Sequence, residues 1–149
     1  MLGSILPHDL VLMGAPSGVG KTDFAVQIAA ANVLGKKAVE ATGGKPAVAA
    51  VPGVPVAFFS LEADPREIER RIKFAMMSNR VHESTARGDV IPRMSYQSWM
   101  RGMSEDIVST HNMHADRVFL ERYGLLHTYY RAVDFGYADL RSAIKEVAD

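Results

Sequence analysis

The chain has 149 residues, with 17 Lys plus Arg against 17 Asp plus Glu and no cysteine. That length suffices for one domain with its own core. The zero formal charge gives no general electrostatic pull toward nucleic acid, although a local basic face stays open, and the lack of cysteine excludes disulfides and thiolate chemistry and fits a reducing compartment. No apolar run approaches the roughly 20 residues needed to span a bilayer. The N-terminus shows neither the basic region nor the cleavage pattern of a secretory signal. A soluble, cytoplasmic chain with no membrane partner is the expectation.

Residues 1–9 read as a lead-in, with Pro7 disfavouring helix just before it. The apolar run Leu10-Val11-Leu12-Met13 predicts a first strand over residues 10–14. Next comes Ala15-Pro16-Ser17-Gly18-Val19-Gly20-Lys21-Thr22, then a helical pattern over residues 20–34 with Phe24, Ala25, Ile28 and Ala31 as its apolar positions. Strand, glycine-rich turn, Lys-Thr and helix in that order is the context of a phosphate-binding loop. Its backbone N–H groups would ring a phosphate, and the helix N-terminus would add its partial positive charge. Lys21 would reach the β- and γ-phosphates, Thr22 would offer its hydroxyl to Mg²⁺, and Gly18 and Gly20 would take positive φ. The nucleotide-binding set is therefore Ala15, Pro16, Ser17, Gly18, Val19, Gly20, Lys21, Thr22 and the adjoining Asp23. Gly35 is placed to end the helix, and Lys36-Lys37 suit its negative end.

From residue 38 to 53 the composition turns to Ala, Gly, Pro and Val. Counted from residue 36, this predicts a flexible insertion, a loop or a loose hairpin. Residues 54–61 form a nearly continuous apolar run, which predicts a strand buried on both faces of a parallel sheet, with Pro55 at its start and Glu62 at its C-terminal end. Asp64-Pro65-Arg66-Glu67 supplies an N-cap, a proline at the first helical position and an acid at the third. The helix it opens shows Ile68, Ile72, Ala75 and Met76 on one face and is expected to run to about residue 78.

Residues 79–92 read as an irregular connection, residues 94–122 as two helices broken near Gly102, and residues 125–130 as a strand. A turn at Asp134-Phe135-Gly136 leads to a last helix with Tyr137, Leu140, Ile144 and Val147 at helical spacing. Strands alternating with helices predict one α/β domain over residues 1–149, a mainly parallel sheet flanked by helices. Ligands of such sheets bind at the carboxyl ends of the strands, where the loop and Glu62 both fall.

Three further clusters have plainer readings. His111, His114 and Asp116 lack a second carboxylate or a cysteine set and suit a solvated helix face better than a metal site. Arg66, Arg70, Arg71 and Lys73 are interleaved with Glu67 and Glu69, which favours solvation and i,i+4 pairing over contact with DNA or a neighbouring subunit. Tyr96 and Trp99 at helical spacing suit packing better than base stacking; Tyr129-Tyr130 and Met76-Met77 read as structural.

Residues 6–25 resemble the first motif of RecA-like ATPases of the DnaB replicative-helicase type. Val56-Ala57-Phe58-Phe59-Ser60-Leu61-Glu62 resembles their second core strand, where the string FFSLE is typical. The helix with Arg66, Glu67, Arg70 and Arg71 resembles the one that follows there, and Asp139-Leu140-Arg141-Ser142-Ala143-Ile144 is similar to the helix before their aspartate-bearing strand. Residues 79–124 match only in helical character. The resemblance implies a RecA-like fold, ATP and Mg²⁺ as ligands, and hydrolysis coupled to movement on single-stranded DNA, usually in a homo-hexameric ring. It implies that Glu62 polarises the attacking water, with Lys21 as its catalytic companion. The family's aspartate strand, arginine finger and DNA-binding loops would lie beyond Asp149, and its N-terminal partner domain is absent. The expectation is therefore a fragment that binds nucleotide weakly and hydrolyses little. The insertion is longer than the family's usual connection and similar to plasmid- or phage-type members. Two other classes fit the loop alone: a small P-loop kinase of the guanylate-kinase type, whose acceptor site and lid find no counterpart here, and a non-catalytic nucleotide-binding module.

Overall fold

The computed structural model of the chain describes residues 11–40, 46–91, 94–102, 106–130 and 136–148. Helix α1 (Lys21–Leu34) leads into a hairpin of β1 (Lys36–Glu40) and β2 (Pro46–Ala50), followed by β3 (Val56–Ser60) and the long helix α2 (Pro65–Ala86). A short helix α3 (Tyr96–Met100), helix α4 (Asp106–Arg122), a single 3₁₀ turn, strand β4 (Leu126–Tyr130) and helix α5 (Tyr137–Ala148) complete the order. The architecture is mixed α/β. β3 pairs with β4 in parallel, from Val56 opposite Leu126 to Ser60 opposite Tyr130, while β1 and β2 pair antiparallel in a separate ladder. Of the loop or loose hairpin expected in the insertion, a hairpin is present; its tip, residues 41–45, lies outside the described residues.

The core lies where α1, α2 and α4 meet. Val26, Ala29, Ala30 and Val33 of α1 pack with Ile68, Ile72, Ala75, Met76 and Met77 of α2 and with Val108, Ala115 and Phe119 of α4, and β4 adds Leu126. Two ion pairs tie α1 and the start of β1 to α2: Asp23 to Arg71, 48 residues on, and Lys36 to Glu83, 47 residues on. A nearly constant offset means that the two helices run side by side in the same direction, so both begin at the same end of the molecule.

Local chemistry sets the helix ends. Asp64 caps α2 by accepting a hydrogen bond from the Glu67 N–H at 3.0 Å, with Pro65 at the first helical position. Gly35 closes α1 in the left-handed region at φ 69°, and its N–H bonds back to carbonyls of the last turn.

Several expectations change. Residues 11–14 carry no regular secondary structure, and Leu12 is 87% exposed. Among the described residues β3 has a ladder partner on the β4 side alone; an apolar run becomes a strand only when its N–H and C=O groups find such an edge. β3 is shorter than expected and only half-buried. Val56 and Phe58 face the core, Ala57 is exposed, and Phe59 stacks on Tyr129 with ring centroids 4.9 Å apart. The buried stripe of α1 is Val26, Ala29, Ala30 and Val33, leaving Phe24 and Ile28 outward. α2 passes residue 78 and ends at Ala86, because Val81 and the buried Ser84 continue its packed face and no breaker comes before Gly88 at φ 106°. α5 forms as expected, but Tyr137 and Ile144 of its apolar stripe are exposed. The break expected near Gly102 is present: α3 ends at Met100 and Gly102 takes φ 69° before α4 starts at Asp106, while residues 103–105 and the predicted turn at 134–135 fall outside the described residues.

Candidate functional site

Residues 15–20 turn back on themselves before α1 begins. Gly18 at φ 80° and Gly20 at φ 95° hold backbone conformations that a side chain would strain, as the loop reading anticipates. The Lys21 ammonium arches over the loop and donates to the carbonyls of Ala15 at 2.6 Å and Pro16 at 3.2 Å. A cation bound from within by carbonyl oxygens marks the centre of a curled loop, and these weak neutral acceptors are readily exchanged for an anion. Gly20 has no side chain with which to cap α1, so no capping side chain satisfies the amides of its first turn. Ser17 and Val19 sit exposed on the rim.

A cleft of about 510 Å³ opens beside this loop. Met13, Lys21, Thr22 and Ala25 line one side; residues 58–63, from the end of β3 into the turn before α2, line the other, and Arg71 of α2 completes it. Lys21, Thr22 and Glu62, 40 residues and more apart in sequence, therefore share one cavity. The turn that carries Glu62 is braced on both sides. The Ser60 hydroxyl accepts the Ala63 N–H at 3.0 Å, and Asp64 caps α2 immediately afterwards. Glu62 itself is exposed, on the open side of the cleft.

Asp23, one residue past Thr22, pairs with Arg71 rather than pointing into the cleft alone. Arg71 donates from Nε to Glu67 Oε1 at 2.8 Å, and its guanidinium lies 5.1 Å from the centre of the Tyr96 ring. Burial lowers the Arg71 pKa, but the hydrogen bonds and charges of Glu67 and Asp23 outweigh it and hold the group above its ordinary value. The Tyr96 hydroxyl donates to Glu67 Oε2 at 3.1 Å. Burial first, then the Glu67 charge and hydrogen bond, push the Tyr96 phenol up to about 12.

Of the basic cluster on α2, then, Arg71 faces the cleft, Lys73 pairs with Asp116 at 3.0 Å, and Arg66 and Arg70 are exposed. The i,i+4 spacing of Glu67 and Arg71 announces their pairing, but nothing local announces that Arg71 borders the loop. Tyr96 and Trp99 pack with Phe74 in an aromatic cluster, and the Trp99 indole donates to Asn112 at 3.0 Å. His111 and His114 are half-buried, and Arg117 donates to His114 Nδ1 at 3.3 Å.

Among the described residues no cluster of three acidic, histidine or cysteine side chains is arranged to hold a metal. Mg²⁺ does not need one. It is typically held by one or two protein oxygens, the phosphates of its ligand and water, and the Thr22 hydroxyl in the cleft suits that mode. Among the described residues no helix is long and apolar enough to cross a membrane. No protein-family model, no curated protein and no solved structure matches the chain.

Proposed function

We propose that the chain is the nucleotide-binding part of a RecA-like ATPase of the DnaB-helicase type, with ATP and Mg²⁺ as its ligands. The observation that carries this reading is the shared cleft: a glycine loop at positive φ, Lys21 and Thr22 on one wall and Glu62 across from them. In this reading the amides of residues 17–22 and the Lys21 ammonium hold the phosphates, and the Thr22 hydroxyl holds Mg²⁺. The cation supplies charge neutralisation on the phosphate oxygens. Glu62 accepts a hydrogen bond from the attacking water and so orients it in line. In the same reading, hydrolysis is coupled to movement on single-stranded DNA in a hexameric ring.

Isothermal titration of MgATP into the chain tests the proposal. Lys21→Ala removes a charge-assisted contact worth about 1.5–3 kcal/mol, so the affinity should fall about 10- to 100-fold. Glu62→Gln should leave binding in place. Binding that ignores Lys21 overturns the phosphate-loop assignment. Steady-state turnover that survives Lys21→Ala overturns the part given to Lys21, and turnover that survives Glu62→Gln overturns the role given to Glu62.

A further inference from the structure

Two cations border the cleft, and the function above uses one of them. Lys21 is satisfied by carbonyls of its own loop, and Arg71 is satisfied by Asp23, the residue after Thr22. Arg71 is held unequally. On one side Glu67 and the face of Tyr96 grip it, and Glu67 is in turn held by the Tyr96 hydroxyl. On the other side stands Asp23, whose side chain is 64% exposed. A pair that open to water is worth about 0–1 kcal/mol, so its partner is easily exchanged. Glu67 and Asp23 each engage one N–H of the guanidinium. The rest of the donor fork is left for a planar two-oxygen acceptor, which a phosphate presents.

We propose that Arg71 is a phosphate-contacting residue of this cleft, and that Asp23 occupies its fork until a nucleoside triphosphate displaces it. This rests on the phosphate-loop reading and adds to it a second cation, supplied by α2 rather than by the loop. Asp23 is then a competitor: its carboxylate sits in the first turn of α1, the same field that favours the phosphate. Glu67 and Tyr96 are positioning residues that aim the guanidinium without touching the ligand.

A swap of partners predicts opposite signs for two neighbouring substitutions. Arg71→Gln should weaken MgATP binding about tenfold or more, a charge-assisted contact being lost, and Arg71→Lys should fall between, keeping the charge but not the fork. Asp23→Asn should tighten MgATP binding up to about fivefold, the worth of the exposed pair it removes. In the Arg71→Gln background Asp23→Asn should do nothing further. Titration calorimetry of the four proteins, with thermal melts alongside, reads all of this. A purely structural pair would lower stability in both single variants and shift their affinities in the same direction. If Arg71→Gln binds within twofold of the parent while Lys21→Ala does not, Arg71 has no ligand contact and the loop assignment stands. If no Lys21-dependent binding is seen in any variant, the cleft itself is misassigned. Should Arg71→Gln fail to fold, Asp23→Asn decides alone: tighter binding supports the exchange, and unchanged or weaker binding overturns it.

Discussion

Gly35 is where α1 hands the chain on to the strands that lead to Glu62, and its replacement by alanine should be severe. Its φ is 69°, and a Cβ built there would lie 1.9 Å from the Val51 carbonyl oxygen and 2.9 Å from the Gly53 nitrogen. Left-handed backbone costs alanine about 1 kcal/mol. The clash is with main chain, which no rotamer relieves, so the segment must shift by about an ångström. That shift strains two bonds that pin the crossing, Val51 N–H to Gly35 O at 2.7 Å and Val54 N–H to Asn32 O at 3.1 Å. At about 1 kcal/mol for each bond, the total loss is about 3 kcal/mol, which lowers the melting temperature by roughly 6–12 °C for a chain of this size. Gly88→Ala is the control. Gly88 has φ 106° with nothing within 4 Å of a built Cβ, so it should lose only the backbone term, about 1 kcal/mol. Urea unfolding followed by Trp99 emission, the chain's one tryptophan, measures both. Equal losses in the two variants would refute the close approach at Gly35.

Two other substitutions test the second wall of the cleft. Asp64→Ala removes the cap of α2 and should cost about 1 kcal/mol; hydrogen exchange at the Glu67 amide, its partner at 3.0 Å, should speed up more than exchange in the middle of the helix. Uniform acceleration along α2 would instead mean that the cap stabilises the helix as a whole. Tyr96 should make alkaline stability steep. Its folded pKa is raised from 10.0 to about 12, so its share of stability is complete below about pH 10 and disappears as the pH rises toward 12. Tyr123, raised by its hydrogen bond to Glu69, titrates with the same sign, so Tyr96→Phe should flatten the decline only in part. An unchanged slope in urea midpoints between pH 9 and pH 11.5 would show that the phenol is not held by Glu67.

What could be read from the sequence was local. Gly18 and Gly20 at positive φ, Gly35 ending α1, the Asp64-Pro65-Glu67 start of α2 and the run that becomes β4 each depend on a few consecutive residues. What could not be read depended on distant neighbours. The apolar run before the loop has strand composition, but strand formation is settled by an edge to pair with. α1 is apolar on nearly every side, so its pattern does not choose a face; the small Ala29 and Ala30 allow close approach to α2 and choose it. The second half of α2 looks polar in isolation and stays helical because Val81 and Ser84 are packed and Gly88 stops it late. Arg71 carried a helical i,i+4 signal that masked its other partner, 48 residues earlier.

The parallel course of α1 and α2 decides which side of the cleft suits an anion. Both helices begin beside the cavity, so each directs the positive end of its dipole toward it. They are not equivalent. α2 starts with the Asp64 carboxylate on its amides and Glu67 in its first turn, so its field is already met by protein charge. α1 follows Gly20, with no side-chain cap, and its first lysine donates to the loop carbonyls of Ala15 and Pro16. On the proposed function an incoming phosphate would therefore be drawn to the α1 wall, and the α2 wall, electrostatically satisfied, would be free to present an acid. An acid and an anion cradle can share so small a space because the two helix ends are compensated differently, and Gly20 against Asp64 is the sequence difference that makes them so. Gly20→Asp combined with Asp64→Ala should therefore abolish nucleotide affinity more thoroughly than Lys21→Ala does. It would place a carboxylate at the proposed phosphate position and leave the amides of α2 to compete for the ligand. Retained MgATP affinity in that double variant would show that capping does not govern which wall receives the phosphate.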